Sequence, residues 1–508
     1  MDYLAVFDIG TSDVKGILVS ADLRLHHTSS RPITTRRTES TTEQDPESWW
    51  LSVQDIMQIW WKSGVKKEQI KGVTFSGQME DCIPIDKRGK AVRPAILYSD
   101  PRGEGEAAEI LERYGEESIR KRTGNHLDGK MTFPKMLWLR RHEPYTYART
   151  DAVLISSKDY IIRQLTGRNI ADPTTGATTG MMDLAERQWV KEWLEDFVLN
   201  PAMLPDLMAP HEVAGKVTFE AAELCGLAEG TPVLAGIGDG GASTLGAGVT
   251  QFGQMYVYLG TTGWAAITAE CVTPLNGGIF HLAHAPENTL IAIAPLLNAG
   301  NVHQWALNVF GTARPVETEE DSLWPDKSKE GYGELEKLML TSKPTERQLL
   351  FLPYLNGERC PIQAPEASGC FIGIKTSTTR ADMSRAVLEG VTMSLRQVIE
   401  ILTAKGEIKQ IALIGGGSRS EVWSQTIADV CRCEVLVPEE GEFLPALGAA
   451  AGGFIQLGWS KDYSEFSRQI LEHRSVRYHY PDEKNGAHYT QLYKKYVQIY
   501  ETLRPLFE

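Results

Sequence analysis

The sequence predicts an α/β protein made of one unit used twice, and three observations carry that reading. The segments LAVFDIGTSDVKG, Leu4 to Gly16, and VYLGTTGWAAI, Val257 to Ile267, share a pattern of apolar strand, small-residue turn and second apolar strand. Their turn threonines, Thr11 and Thr261, stand half a chain length apart. Elsewhere, strand-like apolar runs alternate with helix-like segments. Glycines in such turns leave backbone N–H groups exposed and a neighbouring hydroxyl can also donate, so each turn suits an anion such as phosphate. A single Gly-Thr turn is also an ordinary hairpin connection. Paired at half length, two of them describe a clamp for a nucleotide.

Composition sets the bounds on this reading. A chain of 508 residues with 42% hydrophobic and 23% charged residues is that of a globular protein long enough for several domains. The net charge of −14 opposes nucleic acid and anionic membrane surfaces, which require a basic stripe. Nucleotide would have to be held locally, with a divalent cation. The seven cysteines are scattered, and Cys431 and Cys433 form a C-x-C without the second pair that zinc needs. They read as reduced thiols, which implies a cytoplasmic protein. There is no basic leader and no apolar stretch of about 18 residues, so neither targeting nor membrane insertion is expected.

In chain order, EQDPESWW starts a helix with Asp45 as N-cap and Pro46 at its first position, and Trp49, Val53 and Ile56 on its apolar side. Those tryptophans suit a core rather than a ligand. A strand over Ile70 to Phe75 leads into SGQMED, and PAILYSDPR follows a polar turn at Asp86 to Gly89; both segments read as loops at strand ends. Pro232 to Gly238 reads as another strand that ends in Asp239 and passes through Gly240 and Gly241 into a small-residue segment. The first lobe is expected to span residues 1–246 and the second 247–508. Gly311 to Gly333, rich in Glu, Pro, Asp and Gly, reads as a surface excursion of the second lobe.

Near the C-terminus, IALIGGGSRSEVWSQTIADVCRCEVLV reads as strand, glycine turn, helix and strand, with Val422, Ile427 and Val430 on the buried side of the helix. Its glycines nearly spell G-x-G-x-x-G, but Ser420 holds the third position, so a dinucleotide-binding reading competes. The paired hairpin loops weigh against it, because hydride transfer has no need of them. A triple glycine also lets a flat adenosine approach the backbone.

With these motifs placed, the chain resembles the FGGY carbohydrate kinases, nearest to their xylulokinase branch. The segment GCFIGIKTSTTRADMSRAVLE, Gly369 to Glu389, fits the second family signature, and DIGTSDVK, EQDPESWW, SGQM, PAILYSD, GDGG, LGTTG, FLPYLNGERCP, LIGGGSRSEVW and PALGAA also match in order. The resemblance implies an actin-like ATPase (ribonuclease H-like) fold of two duplicated lobes with a cleft between them, using ATP and Mg²⁺. It also implies a homodimer.

The resemblance assigns roles as well. Asp8 would orient Mg²⁺, and the second copy carries Tyr258 in its place. Gly10, Thr11 and Ser12 would hold phosphate from one lobe, and Gly260, Thr261, Thr262 and Gly263 from the other. Gly300 and Gln304 would lie near the nucleotide, and Gly415, Gly416 and Gly417 would form the adenosine loop. Lys15 reads equally well as a solvated strand cation. Asp239 would be the general base that takes the proton of the substrate hydroxyl, and beside a helix N-terminus it is expected to stay ionised.

Gln78, Met79, Glu80, Asp239 and Gly240 would touch the sugar. Xylulokinases of the family read Gln-Met-His-Gly in the sugar loop and Asp-Asn at the base, whereas this chain has Glu80-Asp81 and Gly240. Glycerol kinases carry Gln-Arg-Glu, so Glu80 matches them and Met79 does not. A carboxylate that accepts hydroxyls favours a neutral polyol or ketose over an acidic sugar, and the resemblance to xylulokinases implies a ketopentose first. One of Glu80 and Asp81 is expected to face the pocket, because neighbours on an extended segment point opposite ways. Asp100 and Arg102 suit an internal ion pair. The alternative class is a noncatalytic ATP-driven switch of the actin fold group, against which an acidic pocket floor at Asp239 argues.

Overall fold

Strand β1, Tyr3–Ile9, is apolar at nearly every position because protein covers both of its faces. Tyr3, Ala5, Phe7 and Ile9 enter one core, and Leu4 and Val6 enter another. The alternation puts Asp8 on the face of Leu4 and Val6. In the computed structural model, which describes all residues except 273–277, 312–328, 347, 405, 442 and 508, β1 is the centre of a seven-stranded sheet.

That sheet comprises β1, β2 (Asp13–Ser20), β3 (Leu25–Pro32), β4 (Ile70–Gly77), β5 (Val213–Lys216), β6 (Pro232–Leu234) and β7 (Ile237–Gly238). Its order is β5-β6-β4-β1-β2-β3, with β7 also on β4. A second seven-stranded sheet holds β8 (Met255–Leu259), β9 (Gly263–Ala269), β10 (Phe280–Ala283), β11 (Leu290–Leu296), β12 (Gln410–Ile414), β13 (Glu434–Pro438) and β14 (Val476–His479). Its order is β10-β11-β9-β8-β12-β13-β14. The runs β3-β2-β1-β4-β6 and β11-β9-β8-β12-β13 match in both order and direction: antiparallel, antiparallel, parallel, parallel. The duplication expected from the two hairpins is therefore one of whole sheets.

Helix α1, Pro46–Lys62, starts as expected: Asp45 accepts from the Glu47 amide, and Trp49, Val53 and Ile56 are buried. It packs so closely on the first sheet that a Cβ at Gly16 would meet Ile56 and Trp60. Two further helices of the first half, α2 (Thr132–His142) and α3 (Ser157–Thr166), carry buried lysines described below. Helix α4, Asp239–Gly246, follows β7. In the second half, α5 (Gly300–Phe310), α6 (Lys329–Leu340), α7 (Arg380–Leu402), α8 (Glu421–Cys431) and α9 (Leu444–Ala449) follow in order.

The strand expected over Pro232 to Gly238 is broken in two. Gly236 adopts φ +66°, and a Cβ there would meet the backbone of Phe75, so the chain kinks to pass against β4. The Gly311 to Gly333 excursion falls mostly on residues 312–328, outside the described residues; Lys329–Leu340 is helical. The C-terminal unit is β12, a glycine turn, α8 and parallel β13, with Val422, Ile427 and Val430 buried.

Each sheet has its own core, and a third core lies between them. It joins Leu4, Val6, Ile17 and Val19 of the first sheet to Tyr256, Ala266 and Ile414 of the second through Ala242 and Leu245 of α4 and Leu444 and Leu447 of α9. Among the described residues no helix is long and apolar enough to cross a membrane.

Candidate functional site

The two hairpins present equivalent positions to the layer between the sheets. In the first, Asp8 pairs across the strands with Lys15, and the Gly10 amide closes the turn on the Asp13 carbonyl at 3.0 Å. In the second, Tyr258 pairs with Trp264, and the Gly260 amide closes the turn on the Thr262 carbonyl at 2.9 Å. Thr261, Thr262 and Ser12 are exposed, so the tips of both turns are open.

Thr11 is tied to two glutamines of its own lobe. Its hydroxyl donates to Gln78 Oε1 at 2.9 Å, and its carbonyl accepts from Gln44 Nε2 at 2.6 Å. Gln78 Nε2 in turn donates to Gln44 Oε1 at 3.0 Å. Gln78 is buried, with both ends of its amide engaged, so it braces the first turn.

The second turn is braced by a helix. The amides of Gly300 and Asn301 at the start of α5 donate to the carbonyls of Gly260 and Thr261 at 3.0 and 2.8 Å. A Cβ at Gly300 would fall inside the Gly260 carbonyl, so only glycine permits this approach. One turn along, Gln304 accepts from the Tyr332 hydroxyl of α6 at 2.5 Å. Gly415, at φ +88°, passes against the Leu259 carbonyl of the strand that carries this turn, and Gly416 faces open space. The predicted nucleotide residues of the second lobe thus lie around one strand end.

Asp239 begins α4 directly after β7. Its side chain keeps accessible surface, while burial by the surrounding protein is the largest influence on its carboxyl. Burial, with Asp8 adding to it, pushes the carboxyl up to about 7 against the pull of the Gly240 amide. The expectation of a fully ionised group is corrected on this point: a single helix-end amide does not offset desolvation plus a second carboxylate. Asp8 is also raised, by burial, while cross-strand Lys15 and the Ser76 hydroxyl, which donates to it at 2.7 Å, oppose the shift.

In the sugar loop Glu80 stands at φ +64° and is partly exposed, whereas Asp81 is fully buried. Asp81 Oδ1 accepts from the Tyr98 amide at 3.2 Å, and among the described residues its Oδ2 has no partner. Glu80 is therefore the residue on the accessible side. Burial and then Asp128 push its carboxyl up to about 7, opposed by Lys135, Arg359 and Lys130. Lys135 of α2, itself buried, donates to the Glu80 and Leu97 carbonyls at 3.0 and 2.7 Å and fixes the loop. Met79 lies over Gly238, where a Cβ would collide with its sulfur, and near Gly240. The side of Gly240 is filled by Leu282 and Met79, an apolar seat where an asparagine was expected from xylulokinases. Asp100 and Arg102 form the expected internal pair, with Nε–Oδ1 at 2.8 Å.

Sequence reasoning missed several neighbours of these groups. Tyr98 hydrogen-bonds Thr11 and feels Asp239 and Asp81. Lys158 of α3 is fully buried between Asp159 at 2.7 Å and Asp172 at 3.0 Å, and Asp172 acts on Asp239. Its signal was present: a Lys-Asp pair in the apolar stretch SSKDYIIRQL has to be paired inside a core. Asp128, Lys130 and Arg359 carried no local signal, because only the fold brings them to Glu80.

Comparison with known proteins fits this geometry. The FGGY family of carbohydrate kinases matches through its N-terminal domain at residues 3–246 and its C-terminal domain at 255–457. The chain is 31% identical over 502 residues to the xylulose kinase of Escherichia coli strain K12, covering 98% of this chain and 99% of that one. It is equally 31% identical over 502 residues to the gluconokinase of Bacillus subtilis strain 168, covering 98% and 95%. A solved xylulose kinase from Rhodospirillum rubrum superposes with a TM-score of 0.85 at 27% identity, covering 99% of each chain. The actin-like, two-lobed architecture expected from the motifs holds, and the chain belongs to the FGGY family of carbohydrate kinases.

Proposed function

We propose that this sugar kinase transfers the γ-phosphate of ATP to a terminal hydroxyl of a neutral sugar, a ketopentose first, with Asp239 as general base. The observation that carries the reading is Asp239 itself, accessible at the start of α4, held near neutrality and within electrostatic reach of Asp8. In the reaction the substrate oxygen attacks the γ-phosphorus and its proton passes to the Asp239 carboxylate. The bond from the γ-phosphorus to the bridging oxygen breaks, and ADP leaves with that electron pair. A base poised near the working pH suits such a transfer. Glu80 accepts sugar hydroxyls, the open turns at Ser12 and at Thr261 and Thr262 face the phosphates, and Gly416 borders the adenosine. The working division is a lobe of residues 1–246 carrying sugar and base and a lobe of 247–508 carrying most of the nucleotide.

Among the described residues no group of three or more His, Cys, Asp or Glu side chains could hold a metal by itself. Asp8, with one oxygen engaged by Ser76 and Asp239 nearby, instead suits an ion that keeps its waters and arrives on nucleotide phosphates. Asp8 would orient Mg²⁺, which supplies charge neutralisation on those phosphates when bound.

A second reading has one observation in its favour. Lys130 and Arg359 act on Glu80, so cations stand where an acidic sugar could use them. A coupled ADP-release assay with ATP and Mg²⁺ against D-xylulose, L-xylulose, D-ribulose, L-ribulose, D-fructose, erythritol, glycerol and gluconate separates the readings. A response to a ketopentose supports the first, a response to gluconate alone supports the second, and no sugar-dependent ADP release refutes both.

A further inference from the structure

Strand β8 repeats the alternation of β1. Met255, Val257 and Leu259 enter the core of the second sheet, and Tyr256 and Tyr258 point into the layer between the sheets. Tyr258 stands two residues before its turn glycine, as Asp8 does before Gly10. The equivalent positions of the two lobes therefore hold a carboxylate and a phenol on faces that look toward each other. The side-chain charges acting on Tyr258 are those of Asp8 and Asp239.

Three further features fix what the phenol can do. Its ring lies flat on Trp264, with centroids 4.1 Å apart and planes 14° apart, so the side chain is held in place. Trp264 is in turn anchored by its indole N–H, which donates to the Tyr256 hydroxyl at 2.9 Å; that hydroxyl also accepts from Thr244 of α4 at 3.2 Å. The phenol end leans over the turn, since a Cβ at Gly260 would come within 2.9 Å of the Tyr258 oxygen. Among the described residues that hydroxyl has no hydrogen-bond partner, while the tyrosine is only partly buried. A fixed donor that leans over a phosphate-type turn, within electrostatic reach of Asp8 and Asp239, is placed to donate to a phosphoryl oxygen brought to that turn.

We propose that the Tyr258 hydroxyl donates a hydrogen bond to the phosphoryl group in flight between ADP and the sugar oxygen, making Tyr258 a catalytic residue of the second lobe. The proposal rests on the kinase reading above. It requires no proton transfer from the phenol: the substrate proton goes to Asp239, and Tyr258 only stabilises the charge spread over the phosphoryl oxygens.

The test is Tyr258→Phe, which keeps the ring on Trp264 and removes the donor alone. Titrating wild type and variant with ADP, and with ADP plus fluoroaluminate as a mimic of the transferring phosphoryl group, both with Mg²⁺ and the responding sugar, separates ground-state from transition-state contacts. The expected result is ADP affinity within about twofold of wild type, a fluoroaluminate complex weakened about tenfold or more, and kcat lowered about 10²-fold. Equal loss for both ligands would mean that Tyr258 only shapes the turn, and wild-type affinity with wild-type kcat would mean that it touches nothing; either result overturns the proposal. A wild-type protein that neither phosphorylates a sugar nor binds fluoroaluminate in a sugar-dependent way would overturn the kinase reading itself.

Discussion

Gly448 of α9 rests against the carbonyl of Ala242 in α4, so close that a Cβ on Gly448 would lie inside that oxygen. The contact is reciprocal, because a Cβ on Gly246 would lie inside the carbonyl of Leu444. Helix α4 follows β7 of the first sheet and α9 follows β13 of the second, so the two glycines mark where the duplicated halves cross. Asp239 is the first residue of one of these helices, which ties the packing between the halves to the chemistry.

Gly448→Ala should therefore lower stability and turnover together. The new methyl meets backbone rather than a flexible side chain, so the helices must separate, at a cost of about 1–3 kcal/mol or more. Thermal unfolding should show a midpoint lowered by several degrees, and kcat should fall because the start of α4 moves. An unchanged midpoint would mean that the crossing is looser than the structure has it.

Glu80 and Asp81 are neighbours in opposite surroundings, the first partly exposed and the second buried. Glu80→Gln should raise the KM for sugar about tenfold while the KM for ATP stays near wild type, the scale expected for a hydrogen bond to a charged group. Asp81→Ala should instead destabilise the fold by about 1–3 kcal/mol, because the buried carboxylate that accepts from the Tyr98 amide is lost. Steady-state kinetics on the first variant and urea unfolding of the second check the assignment, and an exchange of the two phenotypes would reverse it.

Lys158→Met leaves Asp159 and Asp172 as buried acids with no counter-charge and should cost about 3–5 kcal/mol at pH 8. The pH dependence has a definite sign. Burial already pushes Asp159 up to about 6 with the lysine in place, and without it the carboxyl rises further. The native variant then binds more protons than the unfolded chain between pH 4 and its raised value, so its stability falls as pH rises through that window. Unfolding free energies at pH 5 and pH 8 should show the smaller loss at pH 5.

Much of this was legible in the sequence because it is local or periodic. The two hairpins, the Asp45 cap of α1 and the strand-turn-helix of Gly415 to Gly417 follow from residue pattern alone, and the half-length repeat foretold two sheets of one topology. What could not be read was set by distant packing. Gln78 lies in a motif that suggests sugar contact, yet its amide faces Gln44 and Thr11, because β4 runs beside β1 at that register. The charge state of Asp239 depends on its burial by the folded chain and on Asp8, far from it in sequence. The choice between Glu80 and Asp81 was settled by the positive φ of Glu80, which no period-two argument contains.

Asp239 provides the sharpest test of the kinase chemistry, because the identity of the base and its protonation make separate demands. Removing the carboxylate by Asp239→Asn should lower kcat about 10²- to 10⁴-fold while ATP binding persists, since in the proposed reaction the residue acts on the sugar proton rather than on the adenosine. In the wild type only the ionised carboxylate accepts a proton, and burial with Asp8 nearby pushes the free group up to about 7. The kcat/KM for sugar should therefore rise with pH, with an acid limb near 7, and flatten above it. Replacing Asp8 by Asn removes the second carboxylate, so the acid limb should move to lower pH even as turnover drops through loss of the proposed Mg²⁺ contact. A limb that stays in place in Asp8→Asn, or that lies near pH 4 in the wild type, would show that the group titrating in the profile is not an Asp239 raised by its neighbour.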